Sequence, residues 1–434
     1  MMRSMYSGVS GLRVHQNKMD VIGNNIANVN TVGYKKGTMS FQEVFSQVIR
    51  GASAPQDGRG GTNPQQIGLG VNIGAINTIH TKGPAQRTDN PEDLMIDGEG
   101  FFVVSDDTNF ENRFYTRAGN FTLDRDGNLV TADGYKVLGY QADENGEIIS
   151  TVGGIQVNRS ETVAPTTTKE IEFKGNLDSR IPKVEDDSEK GVHKTDTIIK
   201  DSLGNSYTVT FRFEKNEEKR WAVIVEKIAN QASEEPIEHS NDWNDVELIF
   251  DEYGKLTDES TKVATLTIEK DGVKFGGYLG EDGQHEENSL KIDFSKLTQY
   301  ANDMDAKPYA IDGNSSGKLE GYAIDAGGVV VGIFTNGEKK ALGQLMLAKF
   351  DNPMGLQKTG GNFFVDTRNS GEPQYGTAGT SGYGPIAPGT LEMSNVDLSM
   401  EFTEMITTQR GFQANSRIIT TSDEMLQELV NMKR

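Results

Sequence analysis

The residue types that carry out chemistry are present in this sequence, but their spacing predicts no reactive site. The chain of 434 residues contains no cysteine, which excludes thiolate nucleophiles, thiolate metal ligands and disulfides. Its 64 Asp and Glu residues form no recognisable catalytic constellation. Five histidines lie far apart in sequence and outside any HExxH-like pattern: His15, His80, His193, His239 and His285. We therefore expect no enzymatic activity, no cofactor and no metal site.

Two glycine-containing segments match ligand-binding loops only in part. Residues 124–128 (DRDGN) look like the start of a calcium loop, but the glycine comes two positions too early and the glutamate at position 12 is absent. A hairpin turn is the better interpretation. Gly58, Gly60 and Gly61 lack both the preceding strand and the following Gly-Lys-Ser/Thr of a phosphate-binding loop. We interpret residues 51–74, which are rich in Gly, Gln, Asn and Pro, as a linker or long loop.

The net charge and the hydropathy of the sequence limit the kinds of binding partner that we expect. The net charge of −21 argues against nucleic acid, because phosphate binding needs a basic surface. No apolar run approaches the roughly 18 residues of a membrane span, so we expect no membrane insertion. The N-terminal residues lack the three-part pattern of a signal peptide, so any export is expected to proceed without a cleaved signal.

Two amphipathic helices are predicted at the ends of the chain. Apolar residues recur at helical spacing from Met5 to Val29, and they do so again from Leu398 onward. Ser394 is the predicted N-cap of the second helix, with Asp397 three residues later, and Gly33 is expected to be left-handed beyond the first helix. Heptad rows with flanking apolar residues predict a coiled-coil pair: Met5, Leu12, Met19, Ile22 and Ile26, then Leu398, Phe402, Met405, Phe412, Ile419 and Leu426.

This helix pair has two interpretations. On pattern alone, two amphipathic helices packed against a globular core are the commoner case. The second helix, however, has polar Gln409, Ser416 and Asp423 at heptad spacing after Phe402. Such mixed faces favour a pair that buries its remaining apolar surface against neighbouring copies of the chain.

The middle of the chain is predicted to be β structure. Alternating strands such as 207–213 and 264–268 are separated by Asp-Gly and Asn-Gly pairs, which favour hairpins because both residues tolerate positive φ. The pattern indicates sandwiches or barrels. The pairs begin at Asp97, Asp126, Asp133, Asn145, Asp271, Asp312 and Asn336. Trp221 and Trp243 are expected to be core or loop anchors.

A nested domain order follows from these segments. Residues 145–316 contain 20 Lys and Arg against 35 Asp and Glu, whereas residues 1–50 contain 6 against 2. The acidic middle is therefore expected to face solvent and the ends to be buried in an assembly. The predicted domains are 1–33 with 392–434 (helical), 34–75 (a Gly-, Gln- and Asn-rich connection), 76–144 with 317–391 (first β domain) and 145–316 (inserted β domain).

Several long motifs resemble those of the bacterial flagellar rod and hook family. At the ends these are residues 22–36 (IGNNIANVNTVGYKK), 391–398 (LEMSNVDL), 401–403 and 409–415 (QRGFQAN). Residues 97–104 (DGEGFFVV), 115–121 (YTRAGNF) and 133–135 resemble the first β domain of the family. The motif residues of the terminal domain are Asn24, Asn25, Ala27, Asn28, Thr31, Gly33, Tyr34, Ser394, Asn395, Asp397, Gln409 and Arg410.

The resemblance implies a structural subunit that polymerises into a bendable tube between motor and filament. The insertion of about 170 residues favours a hook subunit over a distal-rod subunit, which lacks such an insertion. Implied partners are further copies of the chain, the distal rod, the hook cap, hook-length control and hook–filament junction proteins, and the type III export apparatus. The implied location is the flagellar hook outside the cell. A distal-rod subunit, an adhesin or binding module, and an extracellular hydrolase remain as alternatives.

Overall fold

The computed structural model describes residues 2–55, 60–143, 145–184, 191–231, 246–268, 274–279, 285–380 and 382–432. Within them the chain forms two long helices, one short 3₁₀ turn (Pro353–Gly355) and 31 strands. The elements are α1 (Met2–Ala27), β1 (Gly37–Glu43), β2 (Ser46–Arg50), β3 (Gln65–Gly68), β4 (Val71–Thr78), β5 (Ala85–Arg87), β6 (Leu94–Ile96), β7 (Phe101–Ser105), β8 (Phe114–Thr116), β9 (Thr122–Leu123), β10 (Leu129–Val130), β11 (Lys136–Ala142), β12 (Ile148–Gly154), β13 (Thr162–Val163), β14 (Glu170–Asn176), β15 (Val192–Lys200), β16 (Ser206–Glu217), β17 (Arg220–Asn230), β18 (Glu247–Ile249), β19 (Val263–Thr267), β20 (Gly276–Leu279), β21 (His285–Glu287), β22 (Ser289–Thr298), β23 (Lys307–Ile311), β24 (Gly317–Ile324), β25 (Val329–Phe334), β26 (Lys339–Lys349), β27 (Gln357–Gly360), β28 (Phe363–Val365), β29 (Gln374–Thr377), β30 (Ile386–Pro388), β31 (Thr390–Glu392) and α2 (Leu398–Met432).

The chain divides into two compact units. The first comprises Met1–Asn158, Tyr322–Gly332 and Lys340–Arg434, and the second comprises Arg159–Gly321 and Ile333–Lys339. The fold class predicted from the sequence, mainly β with an α-helix at each end and several sheets between them, is confirmed. The finer division into four domains stays a prediction.

The first unit contains both helices and an antiparallel sheet. Strand β7 pairs with β8, β11 and β26, and all five of its residues are buried. Its alternate side chains lie on the two faces of the sheet, so β7 contributes to packing on both sides. The core on one face consists of Phe101, Val103, Tyr115, Leu138, Met346, Ala348, Phe350, Leu356 and Phe364.

The second unit is built from two four-stranded sheets that share one core. One sheet has the order β15-β16-β17-β18, and the other has the order β19-β22-β14-β23 with β14 parallel to β22. Side chains alternate strictly along β16, where Tyr207, Val209, Phe211 and Phe213 all lie on the buried face. The alternation predicted for this strand is confirmed. Trp221 is also buried in this core, whereas Trp243 and His239 lie outside the described residues.

Hairpin turns are found at four of the described Asp-Gly and Asn-Gly pairs, which begin at Asp126, Asp133, Asn145 and Asn336. The pairs that begin at Asp97 and Asp312 join strands that do not pair with each other, so the hairpin prediction is wrong there. The glycine has a positive φ at every Asp-Gly and Asn-Gly pair that the structure describes, for example 83° at Gly127 and 82° at Gly337. The segment 124–128 joins β9 to β10, with Asp124 accepting a hydrogen bond from the backbone N–H of Asn128 (2.7 Å). The predicted hairpin turn is thus confirmed there. Asp271-Gly272 lies outside the described residues.

The segment interpreted as a linker contains strands. Strand β1 pairs with β4, and β2 pairs with β3, so these four strands form one long hairpin of two nested antiparallel pairs. The linker prediction for 51–74 is therefore wrong at β3 and at the start of β4. All four β3 side chains are exposed, so no apolar alternation marks this strand in the sequence, whereas half-buried Val71, Ile73 and Ala75 alternate with exposed residues in β4. Gly60 and Gly61 lie outside the strands of this hairpin, and Gly58 is not among the described residues.

The ends of the helices differ slightly from prediction. Asp397, and not Ser394, is the N-cap of α2, because its carboxylate accepts hydrogen bonds from the backbone N–H groups of Ser399 (2.9 Å) and Met400 (3.2 Å). Ser394 instead accepts a bond from the N–H of Val396 (3.3 Å). Gly33 has a φ of 68°, as predicted.

Neither a membrane span nor a metal cluster is found in the part of the chain that the structure describes. No helix there has both the length and the apolar character needed to cross a bilayer. Likewise, no three His, Asp or Glu side chains of the described ranges are grouped so that they would hold a metal ion.

Candidate assembly interface of the terminal helices

Helices α1 and α2 pack against each other as an antiparallel pair. Near one end, Ser4 Oγ lies 3.5 Å from Ser422 Oγ. Near the other end, Asn25 Nδ2 donates a hydrogen bond to Glu401 Oε2 (3.1 Å). Between them, the Nζ of Lys18 lies 3.1 Å from the nearer carboxylate oxygen of Glu404. Residue numbers therefore increase in opposite directions along the two helices.

The surfaces that meet are small or polar. A Cβ atom added to Gly11 would lie 2.8 Å from the Asn415 side chain, and one added to Gly411 would lie 2.7 Å from the His15 ring. The helices therefore approach closely where side chains are missing. We call the following set the helix seam: Ser4, Gly8, Gly11, His15, Lys18, Ile22 and Asn25 on α1, and Glu401, Glu404, Thr408, Gly411, Asn415, Ile419 and Ser422 on α2.

The predicted apolar rows lie beside this seam. Met5, Leu12, Met19 and Ile26 each follow a seam residue of α1 and are half-buried, while Ile22 belongs to the seam. On α2, Ile419 is in the seam, Met405 and Leu426 are half-buried, and Leu398, Phe402 and Phe412 are exposed. The predicted rows therefore lie beside the seam, apart from Ile22 and Ile419, which belong to it. Their role as an interface between copies stays a prediction.

Apolar side chains cover much of the outer faces of both helices. Phe402 and Ile406, one helical turn apart, are 50% and 57% exposed. Isolated exposed apolar residues are ordinary, but a continuous set marks an interaction surface. The exposed set comprises Met2, Tyr6, Val9, Leu398, Met400, Phe402, Ile406, Phe412, Ile418, Met425, Leu429, Val430 and Met432.

Asn25 organises the end of α1. Its Nδ2 donates to the carbonyl of Gly37 (2.9 Å) as well as to Glu401, and its Oδ1 accepts bonds from Tyr34 Oη (3.1 Å) and the N–H of Gly37 (2.9 Å). The buried amide thus has all of its bonding groups engaged. Burial raises the pKa of the Tyr34 phenol, and the negative charge of Glu401 adds to that shift.

A buried ion network joins the segment after α1 and the segment before α2 to the β structure. Glu392 precedes α2, and its Oε1 lies 2.6 Å from Lys35 Nζ and accepts a bond from the N–H of Gly83 (2.9 Å). Its Oε2 accepts a bond from Arg117 Nη1 (3.4 Å). Burial lowers the pKa of both Lys35 and Arg117, and the attraction of Glu392 opposes that shift. The attraction of Glu392 therefore favours the charged form of both buried cations.

The C-terminal motif also reaches the N-terminal segment through Asn395. Its Oδ1 accepts a bond from the N–H of Lys36 (2.8 Å), and its Nδ2 donates to the carbonyl of Ile79 (2.8 Å). Gly33 contributes a further link, because its N–H donates to the carbonyl of Glu392 (2.7 Å). The two ends of the chain are thus bonded to each other at several points.

The remaining motif residues lie near the helix ends or on the surface. Asn28 Nδ2 donates to Asn24 Oδ1 (2.6 Å), and Thr31 Oγ1 donates to Asn28 Oδ1 (3.1 Å), which closes the turn after α1. Ala27 is the last residue of α1 and is exposed. Gln409 and Arg410 are exposed on α2, away from the seam.

Comparison with known proteins gives matches along most of the chain. Four family models match: "Flagella basal body rod protein" (residues 5–35), "Flagellar hook protein FlgE/F/G D1 domain" (95–176), "Flagellar basal body protein FlaE D2 domain" (176–314) and "Flagellar basal body rod FlgEFG protein C-terminal" (387–432). The flagellar hook protein FlgE of Borreliella burgdorferi is 42% identical over the whole of both chains. This chain belongs to the flagellar hook protein family.

The chain is also similar to a rod protein and to a hook protein of known structure. The flagellar basal-body rod protein FlgG of Bacillus subtilis is 33% identical over the full length of both chains. The crystal structure of the Helicobacter pylori flagellar hook protein FlgE2 has a TM-score of 0.51 and 16% identity, and it covers 71% of this chain and 100% of that one. The structural similarity to FlgE2 shows that the two proteins share a fold.

Sequence reasoning in terms of apolar rows missed most of the seam. The seam has its own heptad signal, because Ser4, Gly11, Lys18 and Asn25 are each seven residues apart, as are Glu401, Thr408, Asn415 and Ser422. A search for small and polar heptads would have found it. Lys35, Arg117 and Glu392 lie within the quoted family motifs, but no spacing in the sequence indicates that they meet.

Proposed function

We propose that this member of the flagellar hook protein family is a structural subunit of the hook, and that it polymerises into a bendable tube through its terminal helices. One observation carries the proposal. The helix seam uses small and polar residues, while Tyr6, Phe402, Ile406 and other apolar side chains remain exposed on the outer faces. Burying each fully exposed side chain of this kind contributes about 1.5–3 kcal/mol, so repeated contacts between copies are strong.

The tube would have three layers. Residues 1–33 with 392–434 form the inner wall, residues 76–144 with 317–391 form the middle, and the inserted residues 145–316 face outward. The acidic balance of the inserted residues supports an outer, hydrated position. Hydrated polar contacts there allow sliding between subunits as the tube bends, whereas the helices supply fixed contacts.

The proposal extends to export and partners. The chain would leave the cell unfolded through the flagellar type III apparatus, without a cleaved signal peptide, and the absence of cysteine suits such a path. Its neighbours would be other copies, then the distal rod, the hook cap, the length-control protein and the hook–filament junction proteins. The proposed role is mechanical and includes no catalysis, cofactor, nucleic acid or membrane insertion.

A double variant of the outer helix face tests the polymer interface. Phe402→Ser with Ile406→Ser removes two exposed apolar side chains on one face of α2, so polymer formation should be lost while the monomer stays folded. Sedimentation and electron microscopy measure the polymer, and circular dichroism measures the fold. Tyr253→Ser is the control, because Tyr253 is a large side chain of the second unit that is even more open to solvent (81% exposed). Polymers of normal length from the double variant would contradict the proposal.

Deletion of residues 145–316 tests the assignment of layers. The shortened chain should still form tubes, because its helices remain, but those tubes should bend less. If the shortened chain formed no tubes but its short assemblies still bent, the roles of the helices and of the inserted residues would be the reverse of those proposed.

A distal-rod subunit is the second candidate, supported by the full-length similarity to the Bacillus subtilis rod protein. Straight, stiff polymers at every length would favour that reading, whereas curved tubes favour the hook. An adhesin would instead bind a ligand and give no polymer in the same sedimentation experiment.

A further inference from the structure

Helix α2 extends beyond its partner at one end of the pair. The hydrogen bond between Ser4 and Ser422 lies close to the described start of α1, which has only two residues before Ser4. Ten residues of α2 follow Ser422, from Asp423 to Met432. At about 1.5 Å per residue they span about 15 Å, against about 3 Å on α1. We call residues 423–432 the overhang.

The face of α2 that forms the seam changes character at the overhang. Along the paired part, this face presents polar Thr408, Asn415 and Ser422, together with Gly411 and one apolar residue, Ile419. On the overhang, the same face continues with Leu426, Leu429 and Val430, because these follow the seam at helical spacing. Leu429 and Val430 are exposed. The seam is therefore continued by an apolar surface at the place where α1 no longer covers it.

Helix α1 carries a matching stripe on its opposite side. Met2, Tyr6, Val9 and Arg13 recur at spacings of four, three and four residues, so they lie in one row. That row faces away from the seam residues Ser4, Gly8 and Gly11, and all four of its members are exposed. We call it the outer stripe. It spans 12 residues, or about 17 Å, which matches the length of the overhang.

The two surfaces also differ in charge. The overhang contains Asp423, Glu424 and Glu428 and no basic residue; Lys433 and Arg434, which follow it, lie outside the described residues. The first 13 residues of α1 contain Arg3 and Arg13 and no acidic residue. Opposite charges on two apolar helical surfaces of equal length favour their pairing in preference to pairing with themselves.

We propose that the overhang of one copy docks on the outer stripe of α1 of a second copy, with Leu429 and Val430 against Tyr6 and Val9. This inference rests on the proposed function, because it names one of the contacts by which the helices polymerise. The two patches are different and lie near the same end of the helix pair. Repetition of such a heterologous contact produces an open helical array when it does not close into a ring.

Single-cysteine variants test this contact in a chain that has no other cysteine. Val9→Cys and Val430→Cys subunits are mixed, polymerised and oxidised, and disulfide-linked dimers are measured on a non-reducing gel. Two thiols held side by side react as if they were highly concentrated. The yield of the Val9–Val430 dimer should therefore be at least about tenfold higher than the dimer yield of a control mixture. The control replaces Val430→Cys by Gln413→Cys, an exposed position in the middle of α2.

The possible outcomes separate this inference from the proposed function. Polymer with the Val9–Val430 dimer in excess supports both. Polymer in which the Val9–Val430 yield is no higher than the Gln413 control overturns this inference alone. Failure of the unmodified chain to polymerise under any tested condition overturns the proposed function and this contact with it.

Charge exchange provides a second measurement that needs no cysteine. Arg3→Glu with Arg13→Glu, or Glu424→Arg with Glu428→Arg, should each raise the protein concentration required for polymer by about 3- to 10-fold. Both pairs of substitutions in one chain should restore the original concentration. A combined variant that polymerises no better than either parent variant would overturn the contact.

Discussion

Lys35 Nζ lies 2.6 Å from Glu392 Oε1, and both side chains are almost completely buried. The two residues are 357 positions apart. Lys35 follows α1, while Glu392 ends β31 immediately before α2. Arg117, from the turn after β8, is bonded to the same carboxylate. This single anion therefore connects the segment after α1 and the segment before α2 with the β structure of the first unit.

Replacement of Glu392 by Gln should destabilise the first unit by about 3–5 kcal/mol, because it leaves two buried cations without an anion. Denaturant-dependent hydrogen exchange of the β7 amides measures this free energy. Lys35→Met combined with Glu392→Gln should recover part of the loss, since one of the unpaired charges is then absent.

The matched control for this charge network is Asp97→Asn. It breaks the pair between Lys82 and Asp97, which is exposed on the same unit, and exposed pairs contribute at most about 1 kcal/mol. An exchange free energy for Glu392→Gln within about 1 kcal/mol of the original protein would show that the buried network is not needed for stability.

Gly33 and Gly23 should respond in opposite directions to alanine. Gly33 has a φ of 68°, and an added Cβ would lie 2.5 Å from the backbone nitrogen of Ala118, so Gly33→Ala should cost at least about 2 kcal/mol. Gly23 lies inside α1 with nothing within 4 Å of an added Cβ. Gly23→Ala should therefore stabilise α1 by about 0.5–1 kcal/mol. Thermal melts of the two variants, followed by circular dichroism, measure the difference, and equal shifts would contradict it.

The regular parts of the fold were predictable from local patterns. The alternation in β16, the positive φ values in the Asp-Gly and Asn-Gly turns, and the terminal helices all depend on residues within a few positions of one another. Strand β3 was not predictable in this way, because all four of its side chains are exposed and the apolar pattern of a half-buried strand is missing. In β4 that pattern is present, since half-buried Val71, Ile73 and Ala75 alternate with exposed residues.

The helix seam required a search for small and polar heptads, and the charge network required information that local patterns do not contain. The packing of α1 on α2 follows small residues such as Gly11 and Gly411, because close backbone approach matters more there than apolar area. An apolar row was expected instead. The meeting of Lys35, Arg117 and Glu392 depends on the full tertiary path, since three distant segments each supply one charged side chain.

The terminal helices of dilute subunits should be sensitive to trypsin. Their seam is small and polar and so buries little apolar area, and such helices are marginal without further partners. Cleavage is expected after Arg13 and Arg417, which are exposed, whereas the buried Arg117 should stay intact. In polymers the two helical sites should be protected. Mass spectrometry of the fragments measures this, and full protection of Arg13 and Arg417 in dilute monomer would contradict it.

His80 should make the stability of the first unit depend on pH. Its ring packs edge-on against Phe101 and Phe364, with centroids 5.5 and 5.3 Å away. Burial, together with the nearby positive charges of Lys35, Arg117 and Lys358, lowers its pKa to about 4. The folded protein therefore holds this imidazole neutral, while the unfolded chain protonates it at its usual pKa near 6.5.

The direction of the effect follows from this difference. Between pH 6.5 and 4 the unfolded state binds one more proton than the folded state at this site, so stability falls as the pH falls, and the decline stops below about pH 4. The total loss from His80 is about 3 kcal/mol, because one unit of pKa difference corresponds to about 1.4 kcal/mol. His80→Phe keeps the aromatic packing and removes the proton, so its unfolding free energy should fall less across this range. Equal pH slopes for the two proteins in denaturant melts at pH 7, 6, 5 and 4 would show that His80 does not carry the effect.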